Sequence, residues 1–192
     1  MLNIIIPTLD AALGASTGAM ACATAGCDTR LFVSHDAERK GFTKTANRGM
    51  RKWDDGHVCL LNDDVTAFPM GWGTILAGAL RRKGVGIVCP SGNSSTAPMR
   101  GGKPGMFGLV EVKHIPFWCA VIRRSVISKI GYLDERYIHY ASDNDYCDRA
   151  RKAGFKLLWV RDVFLTHTQH GSGQIMEWKQ HDQKLYKRGG RQ

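Results

Sequence analysis

The sequence predicts a single α/β domain with a mostly parallel central sheet flanked by helices. Three observations carry that expectation. Apolar strand-like runs alternate with longer helix-compatible segments. One run, Val58-Cys59-Leu60-Leu61, is apolar throughout, as a strand buried on both faces requires. The 192 residues, 43% hydrophobic and 23% charged, suffice for one core of ordinary size and exclude disorder, collagen and coiled coil.

The elements follow in order. Residues 2–6 read as the first strand, stopped by Pro7. The alanine-rich stretch 11–25 reads as a helix that Gly14 and Gly18 weaken, and 31–33 as a second short strand. Thr43 is an N-cap candidate for a helix running to Trp53, after which 58–61 form the central strand. Pro69 opens the next helix. Its basic end, Arg81-Arg82-Lys83, suits the negative pole of a helix dipole, and Gly84 stops it before the strand at 85–89. Residues 90–105 are rich in Gly, Ser and Pro and read as a functional loop within the same domain. Strand-like runs at 117–122, 155–160 and 163–166 and helices at 124–130 and 143–153 complete the domain, here bounded at 1–173; a basic helical tail follows at 174–192.

Lys and Arg number 27 against 17 Asp and Glu, a formal charge of +10, which favours anionic partners: nucleic acid, an anionic membrane or a nucleotide. The six cysteines include no C-x-x-C pair and sit mostly in apolar stretches. They read as buried thiols in a reducing, cytoplasmic compartment, and a zinc finger is excluded by spacing. No apolar run approaches the roughly 20 residues that a membrane-spanning helix needs, and the first residues lack the pattern of a secretory leader.

In parallel α/β sheets ligands bind beyond the carboxyl ends of strands, so the polar residues there are candidates. Asn62-Asp63-Asp64 follows the central strand and serves either to cap a turn or to hold a hard divalent cation against a diphosphate. Asp143-Asn144-Asp145 opens a helix, where it acts either as a cap or as the source of a general base. His167 and His170 flank the last strand's end and are candidate metal ligands. No phosphate-binding glycine loop, dinucleotide fingerprint or nucleophile elbow is present.

Taken together, these segments resemble the family-2 glycosyltransferases of the GT-A fold, from about Ile4 to Gly173. Ile4-Ile5-Ile6-Pro7-Thr8 is similar to the family's opening strand and nucleotide-facing turn, and Asp36 stands where a base-contacting acid is usual. Gly41-Phe42 and Ala46-Asn47-Arg48-Gly49 resemble its G-F-x-x-x-x-N-x-G segment. Asn62-Asp63-Asp64 falls at the DxD motif, with Asn replacing the first Asp. Phe117-Trp118 and the strand after it, followed by Gly131-Tyr132-Leu133-Asp134-Glu135-Arg136, resemble the acceptor-side strand and the G-x-L-D-E-R segment. Asp143-Asn144-Asp145 matches E-D-x-D, with Ser142 in place of the Glu.

The resemblance implies a metal-dependent inverting transfer of a sugar from a nucleotide-diphosphate donor to an acceptor hydroxyl. Asp143 would be the base, Asp64 with His167 or His170 the ligands of Mn or Mg, and Pro7, Thr8, Asp36, Lys44, Asn47, Asn62 and Asp63 the donor contacts. Phe117, Trp118 and Asp145 would meet the acceptor. Lys44, Arg48 and Arg100 are basic residues that could assist the phosphates, but a solvated surface charge is the preferred reading of each. The expected acceptor is a glycan or lipid-linked saccharide. The basic charge and the likeness in size to compact phage or gene-cluster enzymes keep open a hydroxymethylated base in DNA, which would place the protein in a host cytoplasm. A non-catalytic nucleic-acid-binding module on the same scaffold is the competing class.

Overall fold

The computed structural model describes residues 1–93, 102–168 and 176–189. In chain order the elements are β1 (Leu2–Thr8), α1 (Ala11–Thr24), β2 (Thr29–His35), α2 (Phe42–Met50), β3 (His57–Leu61), β4 (Val65–Ala67), α3 (Trp72–Ala79) and β5 (Val85–Gly92). They continue with β6 (Leu109–Val112), β7 (Cys119–Ile122), α4 (Arg124–Ile130), α5 (Ser142–Lys152), β8 (Lys156–His167) and α6 (Met176–Gly189). The strands form one sheet in the order β2-β1-β3-β7-β5-β8-β4, with β6 on β8.

β1 pairs in parallel with β2 and β3, and β5 with β8, while β7 runs antiparallel to both β3 and β5. The β7 direction decides where chemistry can gather. Leu61, the last residue of β3, pairs with Cys119, the first of β7. The amide of Asn62 then donates to the Trp118 carbonyl at 2.8 Å. Residues that precede β7 therefore meet residues that follow β1 and β3 at one edge of the sheet, the edge where α/β proteins place ligands.

Helix α1 carries no charged residue, and its buried positions are Gly14, Thr17, Gly18 and Ala21. Its two glycines, which cost helix propensity, admit the sheet: a Cβ on Gly14 would stand 2.9 Å from Thr8 Cγ2 and Val33 Cγ1, and one on Gly18 2.6 Å from the Leu31 methyls. Asp10 caps the helix, accepting from the amides of Ala12 and Leu13 at 2.9 and 3.0 Å. Helix α2 packs equally closely on β1, because a Cβ on Gly49 would run into Ile5.

Several sequence expectations are corrected. Pro7 does not stop β1, which runs on to Thr8 along the β2 edge. Thr43 is not a cap: α2 starts at Phe42 behind Gly41, and Thr43 is buried with its hydroxyl unpartnered. Gly41 sits at φ 94°, and any Cβ there would collide with the Ile138 carbonyl. Helix α3 starts at Trp72 rather than Pro69 and ends at Ala79 with Leu80 as its C-cap, so Arg81-Arg82-Lys83 stand just beyond its last turn rather than in it. The two final strands are one, β8, whose pairing with β5 shifts register between Pro90 and Ser91. Strands β4 and β6 were not expected; each pairs antiparallel with β8, which supplies the neighbour that such short segments need. Residues 94–101 of the Gly/Ser/Pro-rich segment lie outside the described residues.

Substituting Gly49 weighs two opposed effects. Alanine improves helix propensity by about 1 kcal/mol, whereas a Cβ overlapping Cγ2 of β-branched Ile5 in β1 costs about 2–3 kcal/mol, the upper part of the overpacking range. Gly49→Ala is expected to lower stability by about 1–2 kcal/mol, read as a lower urea midpoint at unchanged slope.

Candidate active site

Beyond the carboxyl ends of β1, β2 and β3 lies a cavity of about 740 Å³. One wall carries Pro7, Thr8, Leu9, Asp10 and Leu13 from the β1–α1 turn, with Asp36, Arg39, Gly41, Phe42 and Thr45 from the β2–α2 turn. Asn62 and Asp63 form its floor. The opposite wall is Pro116, Phe117 and Trp118 before β7, then His139 to Asp143 ahead of and into α5, and Trp178 from α6.

Four aspartates (Asp10, Asp36, Asp63 and Asp143) and one arginine, Arg39, line this space. The +10 charge of the chain is thus not concentrated where a ligand would sit. Each carboxylate is held in place by a local donor. Asp36 accepts from the amides of Lys40 and Gly41, both at 2.8 Å, closing the β2–α2 turn. Asp63 accepts from the Thr8 hydroxyl, and its carbonyl from Thr17 Oγ1 at 2.6 Å. Asp143 accepts from the Asn144 amide at 2.8 Å.

Burial pushes the Asp63 pKa up against the Thr8 hydrogen bond, and the neighbouring charges of Asp64 and Asp10 add to the rise. The Asp143 carboxyl is also raised, by burial first, with the Asn144 amide opposing. A half-buried carboxylate with an elevated pKa facing a cavity has the character of a general base. Burial lowers the pKa of His139 on the same wall, against the pull of Asp182 and Asp36, so its imidazole is neutral at pH 7.

Asp64 and His167 lie one side chain behind the cavity, 6% and 8% exposed. Antiparallel pairing of β4 with β8 sets Val65 opposite His167 and so brings Asp64 to the imidazole. His167 Nε2 is 2.9 Å from Asp64 Oδ1, yet Asp64 Oδ1 and His167 Nδ1 are both buried without a hydrogen-bond partner. Asn62 Nδ2 is 3.4 Å from the same Nε2, and the Trp118 ring stacks on the imidazole at 5.0 Å and 9°. Gly92 makes room for that ring, since a Cβ there would stand 2.8 Å from Trp118 Cη2.

An orphaned carboxylate oxygen beside an imidazole nitrogen is a donor set that fits a divalent cation. Neighbouring ligands on one octahedral ion of Mg size lie about 3 Å apart. Among the described residues no three or more His, Cys, Asp or Glu side chains converge, so remaining ligands would come from substrate or water. His170 lies outside the described residues.

The other expected site residues divide clearly. Pro7, Thr8, Asp36, Asn62, Asp63, Phe117, Trp118 and Asp143 are brought together around the cavity. Lys44 is exposed on α2 and does not line it. Asn47 is buried and exchanges hydrogen bonds with Leu133, donating to its carbonyl at 2.9 Å and accepting from its amide at 3.0 Å; it also donates to Glu135 at 2.9 Å. It stitches α2 to the Leu133-Asp134-Glu135 segment instead of facing a ligand. Asp145 pairs with Arg149 at 2.8 Å, and Arg149 in turn donates to the carbonyls of Ile130 and Tyr132. Arg48 holds Ser34 and the His35 carbonyl, and Arg100 is outside the described residues.

Asp10, Arg39, His139, Tyr140 and Trp178 were not singled out from the sequence. Asp10 was open to discovery by the same reasoning that found Asn62, since it follows a strand. Trp178 carried no such signal.

Eight strands in this order, with polar residues gathered at one sheet edge, invite comparison with known folds. GalNAc-T7, in a crystal structure with UDP, GalNAc and Mn2+, superposes with a TM-score of 0.68 at 10% identity, covering 86% of this chain and 43% of that one. The chain has the GT-A glycosyltransferase fold. The mannosyltransferase PcManGT of Pyrobaculum calidifontis, in complex with GDP-Man and Mn2+, shares that fold at a TM-score of 0.61 and 15% identity, covering 94% of this chain and 60% of its own. In sequence, the chain is 28% identical over 150 residues to the N-acetylglucosaminyl-diphospho-decaprenol L-rhamnosyltransferase of Mycobacterium tuberculosis, covering 64% of this chain and 46% of that enzyme. The chain spans less than half the length of the curated relatives it matches. No protein-family model matches it. No helix among the described residues is long and apolar enough to cross a membrane.

The raised pKa of Asp143 fixes the sign of a stability test. Its folded state binds a proton more tightly than the unfolded chain, so the ionised form costs stability that grows as pH rises past the ordinary value of 3.8. Asp143→Asn is expected to melt at the same or a higher temperature than the wild type at pH 7.5, with the gap closing by about pH 3; a lower melting temperature at pH 7.5 would contradict the assignment. Gly92→Ala, which displaces the Trp118 ring, is expected to change tryptophan emission with the fold retained by circular dichroism.

Proposed function

We propose that the protein is a metal-dependent inverting glycosyltransferase that moves a sugar from a nucleotide-diphosphate donor to a saccharide or lipid-linked saccharide hydroxyl. The observation that carries this reading is the placement of Asp63 and Asp143 on facing parts of one cavity, with the Asp64–His167 pair directly behind the Asn62 floor. The fold, the nucleotide and Mn2+ complexes of its structural neighbours and the sequence likeness to a rhamnosyltransferase support it.

The donor nucleoside lies against Pro7, Thr8, Asp36 and Arg39, with the diphosphate over Asn62 and Asp63. A dianionic diphosphate would enter a space lined by four carboxylates and one guanidinium, which is unfavourable unless positive charge comes with it. Asp64 and His167 would hold a divalent cation there, which would supply that charge and Lewis-acid stabilisation of the leaving nucleotide. The Trp118 ring, stacked on the imidazole, fixes its plane.

Asp143 takes the proton of the acceptor hydroxyl as its oxygen forms the bond to the anomeric carbon, and the bond to the diphosphate breaks on the opposite face. Configuration is inverted in one displacement. The positive charge that develops on the sugar ring is stabilised by the carboxylates around it. Phe117, Tyr140 and Trp178 give the acceptor side an aromatic wall of the kind that sugar rings stack on. The acidic lining gives no corresponding support to a DNA acceptor, whose phosphates it would repel.

The test is nucleotide release from UDP-, GDP- and dTDP-sugars with Mn2+. Wild-type protein is expected to release nucleotide, and Asp143→Asn to lose about 10²–10⁴-fold in turnover with its fold intact. Full turnover in Asp143→Asn would remove the base assignment, and silence of the wild type across donors and saccharide acceptors would remove the enzyme reading.

A further inference from the structure

Asp182 in α6 is a fully buried carboxylate in a helix otherwise largely exposed. It gathers three successive backbone amides: Ile138 at 3.0 and 3.1 Å, His139 at 2.8 Å and Tyr140 at 2.8 Å. His181 Nδ1 is 2.9 Å from its other oxygen. Burial alone would raise its pKa, but these donors outweigh burial and hold it below the ordinary carboxylate value, so it is a charged anchor at neutral pH.

The anchored segment leads directly to the candidate base. Its other side is gripped by α2, where the Thr43 amide donates to the Ile138 carbonyl at 3.1 Å and Gly41 leaves no room for a Cβ. Next comes Ala141, one of only two non-glycine residues with positive φ among the described residues, at 57°. Ser142 and Asp143 then open α5. A left-handed alanine persists only where its surroundings hold it, and here the surroundings are α2 on one side and Asp182 on the other. One turn before Asp182, on the same face of α6, Trp178 lines the cavity and lies 6.3 Å from the His139 ring. Further along, Tyr186 donates to Asp148 of α5 at 2.7 Å.

We propose that α6 is a working wall of the acceptor side and that Asp182 is a positioning residue: by collecting the amides of Ile138, His139 and Tyr140 it sets the loop that delivers Asp143 to the acceptor hydroxyl. This rests on the glycosyltransferase reading for its catalytic consequence, whereas the latch itself is testable without turnover.

Two measurements on the full chain decide it. In hydrogen exchange, peptides covering 138–140 are expected to be protected in the wild type and to exchange about tenfold faster or more in Asp182→Ala, with Asp182→Asn between them and the central strands unchanged. In steady-state assays with the donor found active, Asp182→Asn is expected to lower kcat about tenfold or more with the donor KM within about twofold, because the donor wall is untouched. Equal exchange in wild type and Asp182→Ala would overturn the latch. Loss of protection throughout the chain in Asp182→Asn, or a donor KM that rises with kcat unchanged, would overturn the positioning role. A wild type inactive on every donor would refute the enzyme reading alone, and the exchange data would still decide the latch.

Discussion

The constraint on which the structure turns is the crowding of carboxylates at one edge of the sheet. Asp10, Asp36, Asp63 and Asp143 line a single cavity in a chain whose net formal charge is +10. Burial pushes the Asp63 carboxyl up, and the neighbouring charges of Asp64 and Asp10 add to that rise. The arrangement follows from topology. Because β7 runs against its neighbours, the chain before it returns to the edge where β1 and β3 end, so that Asp63 and Asp143 line the same cavity.

Two of these carboxyl groups, together with Asp182 outside the cavity, also hold the backbone in shape. Asp10 caps α1, Asp36 closes the β2–α2 turn and Asp182 gathers the loop before α5. Arg39 and Ala141, the two left-handed non-glycine residues among those described, both line the cavity. Strain of order 1–3 kcal/mol at such residues persists when neighbouring hydrogen bonds over-determine the turn. A cavity wall built from element ends is rigid here because side-chain carboxylates take up amides that those ends leave free.

Much of this was legible in the sequence. The buried strand 58–61 and the helix 124–130 follow from apolar patterning, and burial on both faces enforces the first. Asn62 and Asp63 were found because polar residues beyond strand ends are where ligands bind, and Asp143 because it stands in an acidic group that opens a helix; all three line the cavity. Asn47 shows the limit of motif reading: its segment and the Leu133-Asp134-Glu135 segment recur together in the resemblance, and here they are two halves of one hydrogen-bonded contact. Trp118 reads as an acceptor platform from sequence, yet its ring is stacked on His167 and 5% of the residue is exposed. Strands β4 and β6 are too short to declare themselves without β8 beside them. Asp182 and Trp178 were hidden because a polar, basic helix gives no sign of which single carboxylate it will bury.

In the proposed function this acidic cavity admits a nucleotide diphosphate only together with a divalent cation. Calorimetric titration of UDP and GDP into the protein, with Mn2+ and with EDTA, tests it most directly. The account predicts binding with Mn2+ that is lost in EDTA and lost in Asp64→Ala. Equal affinity with and without the metal, or an Asp64→Ala protein that binds as the wild type does, would contradict it.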